Sequence, residues 1–474
     1  MIRVSTKFHH RKGDFMKTKR IMALLMAASM AVLGGCNSSG ANESQGNASE
    51  GNNTSGGEET VLTFTYKQSA SNDPLEAWLN EEKIIEKFEA EHPGCKIELS
   101  PISSSEGDYA TLLALQLSSE STAPDIFMED TYMTATDAAS GYLACLDEYL
   151  NEWEDWDKYL DGTKAAVKGT DGKIYGIPVS TDSRGIFYNK KVLEKAGYSI
   201  PWQPKNWAEI VEAARKIEET QDGVSGLSMI VSTSSGEGVS MQTFEQLLYG
   251  TGDQLYNDGK WLVKSQGLLD TFSFISDAFS EGVTVDIDTA LSKDTQSQRD
   301  LADGKLGMAL NVCTFANSWL PTGDYPVENV EDVIGMAAMP TQNGGDPATV
   351  TMSGGWSWAV SSYCENKDLA AEFLKFCGSQ ENATGRCLYD GRMSPRVDSL
   401  EVEEYGKRPY INETTKYMEN SFVRPKNENY AMVSTQIQTI VEEVASGALT
   451  AEEAMNEYAS RVTGIVGEDN VEEK

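Results

Sequence analysis

Residues 171–217 read DGKIYGIPVSTDSRGIFYNKKVLEKAGYSIPWQPKNWAEIVEAARKI, and they carry the clearest alternation of strand and helix signals in the chain. The apolar run 186–188 predicts a short strand, and residues 190–196 predict a helix that ends at Gly197. Asn206 and Glu209 form a predicted capping box at the start of a second helix. This alternation predicts the α/β fold class.

The same alternation extends in both directions from this stretch. Residues 61–66 predict a strand of period two, and Asp73 with Glu76 predict a capped helix before a second strand at 96–100. A β-α-β unit of this kind crosses over right-handed into a parallel pair. Further strands are predicted at 124–128, 333–339 and 356–361, and further helices at 369–377, 437–444 and from 450 onward.

Length, charge and scarce histidine limit the possible functions. The 474 residues allow two or three domains, and the formal charge of −34 argues against a nucleic-acid partner, which needs clustered Lys and Arg. Only His92 lies outside the N-terminal extension, so a Ser-His-Asp triad and a histidine zinc site are excluded, and no metal or cofactor is predicted. Six body cysteines lack CxxC spacing, which leaves both disulfides and buried free thiols open.

The N-terminus has the pattern of an export signal. Three basic residues precede an apolar run at 21–33, which is too short to span a bilayer, so residues 1–35 are interpreted as a signal peptide with Met16 as a possible true start. The sequence Leu-Gly-Gly-Cys ending at Cys36 resembles the lipobox of bacterial lipoproteins, which implies lipidation of Cys36. The alternative is an ordinary signal with a chance cysteine. Residues 36–59 are polar and predict a flexible tether to the membrane.

The central stretch also resembles a known family. Residues 171–217 are similar to the signature of family 1 extracellular solute-binding proteins, the sugar receptors of ABC importers that include maltose-binding protein. Five other segments support the resemblance in family order and extend it over most of residues 60–460: APDIFMED at 123–130, GYLACLDEYL at 141–150, DGKLGMALN at 303–311, SGGWSWAVSS at 353–362 and VASGALTAEEAM at 444–455.

The resemblance implies a two-lobed periplasmic-binding-protein-like fold of type II, in which two discontinuous α/β lobes are joined by a hinge. It places the three hinge crossings near 167–171, 340–349 and 392–396. The predicted parts are lobe 1 at 60–168 plus 347–393, lobe 2 at 169–346 plus 394–466, and an acidic tail at 467–474.

The implied function is capture of a sugar or oligosaccharide between the lobes by an extracellular, lipid-anchored, monomeric receptor that is not an enzyme. The receptor delivers its ligand to two permease subunits in the membrane. These work with a cytoplasmic ATPase that is a separate protein, because this chain has no GxxxxGK[ST] loop.

Sugar binding needs an aromatic ring for the apolar face of a pyranose and polar side chains for its hydroxyl groups. Trp356 and Trp358 lie on one face of a predicted strand, and Gly354 and Gly355 before them leave room for a ligand. We expect Trp356 above all to face the cleft, and the alternative is that one or both of the tryptophans are core residues.

Other candidates follow from their position in the family order. Asp182 is expected to accept a hydrogen bond from a sugar hydroxyl group. Arg184 either donates hydrogen bonds to the ligand or pairs with Asp182. Glu129 and Asp130 end a predicted strand, and they line the cleft or belong to a solvated loop. The remaining predicted ligand-binding residues are Gln68, Tyr132, Phe315, Trp319 and Tyr430, and the polar loop 232–242 is a further candidate. Phe315 and Trp319 follow the GKLGMAL segment, which usually delivers a residue to the ligand in this family. This chain departs there from the Gly-x-Trp that the family commonly has.

Three rival functions remain open from the sequence. A secreted glycosidase would need two carboxylates about 5–10 Å apart across the cleft. A receptor of the same architecture for another solute would suit a polyamine, because Glu129, Asp130 and Asp182 are acidic, or a ferric ion if tyrosines supplied the ligands. A purely structural surface lipoprotein would have no cleft.

Overall fold

The computed structural model describes residues 59–68, 73–104, 106–292 and 296–474. The predicted signal peptide, the lipidation site at Cys36 and almost all of the predicted tether lie outside these residues. In the part that is described, no helix combines the length and the apolar character needed to cross a bilayer.

The strands are few and mostly short. They are β1 (Thr60–Gln68), β2 (Cys95–Ser103), β3 (Ile126–Asp130), β4 (Gly176–Pro178), β5 (Arg184–Asn189), β6 (Ser225–Ser228), β7 (Tyr256–Asn257), β8 (Lys260–Lys264), β9 (Leu306–Val312), β10 (Ile334–Ala338), β11 (Thr351–Ser353), β12 (Trp356–Val360), β13 (Ser421–Val423) and β14 (Val471–Glu473).

Helices occupy most of the remaining described chain. They are α1 (Pro74–Glu81), α2 (Ile84–Glu91), α3 (Glu106–Leu117), α4 (Thr134–Ala139), α5 (Asp147–Leu150), α6 (Asp161–Ala166), α7 (Lys190–Lys195), α8 (Trp207–Thr220), α9 (Gln246–Gly250), α10 (Gln266–Ser280), α11 (Ile287–Leu291), α12 (Gln296–Asp303), α13 (Val330–Val333), α14 (Lys367–Gly378), α15 (Gln380–Asp390), α16 (Glu403–Gly406), α17 (Ile411–Tyr417), α18 (Tyr430–Ala445) and α19 (Ala451–Val466). A π-helix spans Val239–Glu245. Short 3₁₀ helices lie at Glu154–Lys158, Thr233–Ser235, Cys313–Trp319, Val397–Glu401, Met418–Asn420 and Glu468–Asn470.

Lobe 1 is built on a five-stranded sheet of order β2-β1-β3-β12-β4. Strand β1 runs parallel to β2 and β3, as the β-α-β pattern predicted, and β12 runs antiparallel to both β3 and β4. Leu62, Phe64 and Tyr66 alternate along β1 and are buried, because successive side chains of a strand point to opposite faces. Phe373 and Leu374 of α14 pack into the same core.

Lobe 2 is built on a four-stranded sheet of order β10-β5-β9-β6. The helix α8 begins where the sequence predicted, since the Asn206 side chain accepts a hydrogen bond of 3.0 Å from the backbone N–H of Glu209. Its buried face, Ile210, Ala214 and Ile217, packs on this sheet. The C-terminal helices α18 and α19 belong to the same core.

Strand pairing locates the hinge differently from the sequence. Strand β4 pairs with β12 in the sheet of lobe 1, so the first crossing follows Pro178 and does not lie near residue 168. The short strand β11 pairs with β13, and Met352 within it is buried in the core of lobe 2. The Arg396 guanidinium donates to Gly378 of lobe 1, so the third crossing follows Arg396. We therefore propose lobe limits near residues 179, 354 and 399 in place of the predicted ones.

The predicted acidic tail is not a tail. Residues Val471–Glu473 form β14, which pairs in parallel with β8. The sequence missed this strand because its glutamates suggested a solvated end, whereas an edge strand needs only backbone pairing on one side.

The cysteines of the described residues are all unpaired. Cys95, Cys364, Cys377 and Cys387 are buried, and Cys145 is exposed. Burial raises the pKa of the thiols in the cores, which keeps them in the unreactive protonated form. Of the two alternatives that the sequence left open, the structure has free thiols.

Candidate functional site

A polar cavity of about 770 Å³ opens between the two lobes. This volume lies within the range of small-molecule sites. Lobe 1 contributes Ala110, Thr111, Ala114, Tyr132 and Met133, and lobe 2 contributes Thr233, Ser234, Ser235, Gly236, Glu237, Ala431, Thr435 and Gln438. The lining therefore combines one aromatic ring with five serine or threonine hydroxyl groups, one carboxylate and one side-chain amide. We call this cavity the cleft.

Arg424 connects the two walls of the cleft. It follows β13, and its guanidinium lies 2.6 Å from Asp130 Oδ1 and 3.1 Å from Thr131 Oγ1 in lobe 1, and 3.6 Å from Glu237 Oε2 in lobe 2. The same group sits 4.8 Å from the centre of the Tyr132 ring. Burial opposes the charge of Arg424, but the two carboxylates outweigh it and raise the pKa of Arg424. One buried cation thus fixes both walls and the aromatic ring between them.

The lobe 2 wall rests on a buried acid network. The Tyr430 hydroxyl lies 2.9 Å from Glu237 Oε2 and 2.8 Å from Glu245 Oε1. Burial, followed by the charge of Glu237, raises the pKa of Glu245 to about 8. The Tyr430 hydroxyl is a donor within reach of both carboxyl groups, and its single hydrogen serves one of them at a time. Tyr430 is itself fully buried, so it supports Glu237 from behind.

The lobe 1 wall has a second, smaller cavity behind it. We call it the inner cavity; it is lined by Tyr109, Ala110, Leu113, Glu129, Asp130, Tyr132, Met133, Asp137 and Trp356. Trp356 is 3% exposed, its ring lies 6.0 Å from that of Tyr109, and the Lys67 ammonium lies 5.8 Å from its centre. Trp356 therefore faces this cavity, behind Tyr132, and not the open cleft.

Glu129 lies at the inner cavity and is buried, with only 1% of its surface exposed. Even so, neither of its carboxyl oxygens receives a hydrogen bond from the described protein groups. Burial, followed by the charges of Asp137 and Asp130, raises the pKa of Glu129 well above its usual value. Burial also raises the pKa of Asp137 to about 7. The solvated-loop alternative for Glu129 is excluded by this burial.

Three predicted ligand-binding aromatics lie in the cores instead, which corrects the sequence prediction. Trp358 is 1% exposed and stacks on Trp78 at 6.0 Å in lobe 1. Phe315 and Trp319 pack against each other and against Phe187 in lobe 2. An indole or phenyl ring enclosed on all sides cannot cover the face of a sugar.

Asp182 and Arg184 form a buried ion pair in the hinge. Asp182 also accepts a hydrogen bond of 2.7 Å from the Gly354 N–H, and Arg184 donates one of 3.0 Å to the Met352 carbonyl oxygen. Burial would raise the pKa of Asp182, but Arg184, Arg392 and the Gly354 amide outweigh it and lower this pKa. Of the two roles left open for Arg184, the structure shows pairing with Asp182.

The glycine pair before Trp356 also serves the hinge. A Cβ at Gly355, whose φ is +138°, would lie 2.2 Å from the Ser180 carbonyl oxygen, and one at Gly354 would lie 3.2 Å from Asp182 Oδ1. These glycines leave space for the chain segment that crosses between the lobes. The sequence analysis had predicted that they leave space for a ligand. Gln68 is bound locally, with its amide nitrogen 2.6 Å from Glu76 and its oxygen 2.7 Å from Ser103, and it is not in the cleft lining.

The sequence prediction missed Arg424 and the helix α3, and it indicated Glu237 only as part of the loop 232–242. Arg424 follows a short strand directly, a position from which side chains reach a cleft, and this was the available signal. The polarity of the loop 232–242 indicated the segment, but it did not single out Glu237 within it. In α3, the small residues Ala110, Thr111 and Ala114 face the cleft, and this pattern is equally typical of a buried helix face.

Two α/β lobes around a shared polar cleft define a two-lobed periplasmic-binding-protein-like fold. Residues 74–384 match the model of the bacterial extracellular solute-binding proteins, and the chain belongs to this family. The predicted fold class and family are confirmed.

Individual relatives are distant. The melibiose/raffinose/stachyose-binding protein of Bacillus subtilis (strain 168) is 21% identical over 402 residues, which cover 82% of this chain and 84% of that protein. A binding protein of Brucella abortus (strain 2308) is 25% identical over 242 residues, and the alignment spans about half the length of each, 50% of this chain and 55% of that one. The solved GacH receptor of Streptomyces glaucescens, whose complexes contain acarbose, matches with a TM-score of 0.70 at 22% identity over 87% of this chain and 100% of that one.

Proposed function

We propose that this protein captures a sugar or oligosaccharide in the cleft and delivers it to the permease of an ABC importer. The observation that carries the proposal is the composition of the cleft: the half-buried ring of Tyr132 lies opposite hydroxyl and carboxylate groups of lobe 2. A pyranose presents one apolar face and a rim of hydroxyl groups, and this lining satisfies both. The sugars named for the relatives support the same class of ligand.

Capture would work by closure of the lobes. A ligand that contacts Tyr132 in lobe 1 and Thr233–Ser235 in lobe 2 favours the closed form by its differential affinity for the two forms. Arg424 already holds both walls together, so the ligand adds to an existing link. A closed surface is then available for two permease subunits to recognise.

We also propose that the protein is a binding protein without catalytic activity. Asp130 of lobe 1 and Glu237 of lobe 2 both contact Arg424 between the lobes. A carboxyl group that pairs with a guanidinium is not available as the general acid that a glycosidase requires. The same cation disfavours a polyamine in the open cleft.

The remaining parts of the proposal concern location. The folded body would be a monomer outside the cell, tethered through residues 36–59 to lipid on Cys36. Globomycin-type inhibition of lipoprotein processing, followed by mass spectrometry of the N-terminal peptide, tests this directly. A mature protein that begins at another residue would contradict it.

A thermal-shift panel tests ligand capture. The panel contains mono-, di- and oligosaccharides, polyols and spermidine, and a true ligand at a hundredfold excess over its Kd should stabilise the protein by about 3 kcal/mol. Tyr132→Ala should lower the affinity for that ligand about tenfold, because the sugar loses its aromatic contact.

The matched control for this variant is Tyr363→Ala. Tyr363 is 41% exposed and follows the far end of β12 from Trp356, so its removal should leave the affinity unchanged. A saccharide panel without any shift, or equal losses in both tyrosine variants, would contradict the proposal.

A further inference from the structure

The inner cavity holds two acids that the proposed capture of a neutral sugar does not use. Glu129 comes from β3 and Asp137 from α4, and both are less than 5% exposed. They line one cavity of about 10 Å³, which is the space of a single water-sized group. The fold has therefore placed two carboxyl groups at a site with room for one small polar head group.

Glu129 in particular points to a missing partner. Neither of its oxygens receives a hydrogen bond from the described protein groups, although buried carboxyl groups are normally paired. The cations nearby are engaged elsewhere: Arg424 binds Asp130, and the Lys67 ammonium lies over the ring of Trp356, 5.8 Å from its centre.

The remaining walls suit a cation. The rings of Trp356 and Tyr109 line the cavity at 6.0 Å from each other, and aromatic faces attract an ammonium group. The Tyr109 hydroxyl donates 2.6 Å to the Met128 carbonyl, so its hydrogen is not available to Glu129. Two acids and two aromatic rings around a water-sized space match a primary ammonium group better than a neutral hydroxyl or an anion.

The inner cavity is adjacent to the cleft. Ala110, Tyr132 and Met133 line both, so only their side chains separate the two spaces. A group projecting from a ligand in the cleft has to displace Tyr132 or Met133 to reach Glu129. The half-buried Tyr132 ring contacts the Arg424 cation and lies 6.3 Å from the Tyr430 ring, so its side chain forms the wall between the two spaces.

We propose that the inner cavity is a subsite for the ammonium group of an amino sugar, which enters past Tyr132 and pairs with Glu129 and Asp137. This inference rests on the proposed function and specifies its substrate class as amine-bearing saccharides. In the empty protein a proton takes the place of the cation. Binding of the ammonium group ionises Glu129 and releases that proton to solvent.

Titration calorimetry tests the subsite. The ligands are glucosamine oligomers, their N-acetylated counterparts, neutral glucose oligomers and spermidine, each at pH 6 in buffers of different ionisation enthalpy. We expect the amine-bearing saccharide to bind at least about tenfold more tightly than its acetylated form, with release of a proton. Its affinity should rise from pH 5 to pH 6 as proton competition for Glu129 and Asp137 falls; the charged groups beside these two acids are Asp130, Arg424 and Lys67.

Glu129→Gln and Asp137→Asn should each remove the preference for the amine and the proton release, whereas the exposed control Glu404→Gln should keep both. Melting temperatures verify that each variant is folded. Equal affinity for amine and acetylated saccharides, or a preference that survives Glu129→Gln, overturns the subsite while sugar capture stands. Binding of spermidine alone overturns the proposed sugar ligand and keeps the ammonium site; absence of any binding overturns both.

Discussion

Buried acids are handled differently in the hinge and in the lobe 1 wall. In the hinge, Asp182 is paired with Arg184 and with a backbone amide, and its pKa is lowered. In the wall, Glu129 has no such partner and Asp137 lies beside it, and both pKa values are raised. The hinge acids therefore stabilise the folded chain, whereas the wall acids weaken it above acidic pH, which is a cost expected of a binding site.

The largest expected effect concerns the hinge pair. Arg184→Met leaves Asp182 buried without its cation, and this should lower the free energy of unfolding by about 3–5 kcal/mol. Chemical denaturation at pH 7 measures the loss. Adding Asp182→Leu in the same protein should recover part of it, since an apolar pair carries no unpaired charge. A single variant as stable as the wild type would contradict a structural role for the pair.

A smaller effect is expected from Glu129 and Asp137 in the lobe 1 wall. Their contribution lowers the free energy of unfolding as pH rises. The folded protein keeps the proton on Asp137 up to about pH 7, while the unfolded chain loses it near pH 4, so the free energy of unfolding falls as pH rises between these values. The raised pKa of Glu129 acts in the same direction. The slope is up to about 1.4 kcal/mol per pH unit for each group.

Asp137→Asn should remove one such contribution. Denaturation curves at pH 5, 6 and 7 measure the slope, and a variant with the wild-type slope would show that Asp137 titrates alike in both states. Asp182 provides the contrast: its lowered pKa stabilises the fold above about pH 4, and this contribution is lost as pH falls through its folded value.

The smallest effect is expected at the surface. Arg215 and Glu281 form an ion pair whose side chains are 48% and 45% exposed. Arg215→Met should change the free energy of unfolding by less than about 1 kcal/mol, because water already solvates both charges. A loss as large as that of Arg184→Met would mean that burial does not separate the two classes of pair.

Most of the fold could be predicted from local patterns. The helix predicted from 450 onward begins there, with Thr450 and Glu453 forming both reciprocal bonds of a capping box. The strands around Ile186 and Trp356 lie within a few residues of their predicted limits. These features depend on neighbouring residues. The hinge does not: whether β4 joins lobe 1 depends on its pairing with β12, about 180 residues away in sequence.

The candidate site was predicted only in part. The sequence correctly indicated several residues at or behind the cleft, because they lie at the ends of strands or the starts of helices: Glu129, Asp130, Tyr132 and Tyr430. Trp358 shares the strand face of Trp356, yet it packs on Trp78, since the same face of β12 passes from the cavity into the core. The alternation of side chains along a strand shows which face of the sheet a residue occupies. It does not show where along that face the hydrophobic core begins.

The unpaired thiols make the molecule its own reporter of unfolding. An alkylating reagent should modify the exposed Cys145 at once, while Cys95 and Cys377, enclosed in lobe 1, react only when that core opens. Mass spectrometry of timed samples would then separate breathing of a single lobe from rigid movement of both, with no engineered label and with reductant present throughout.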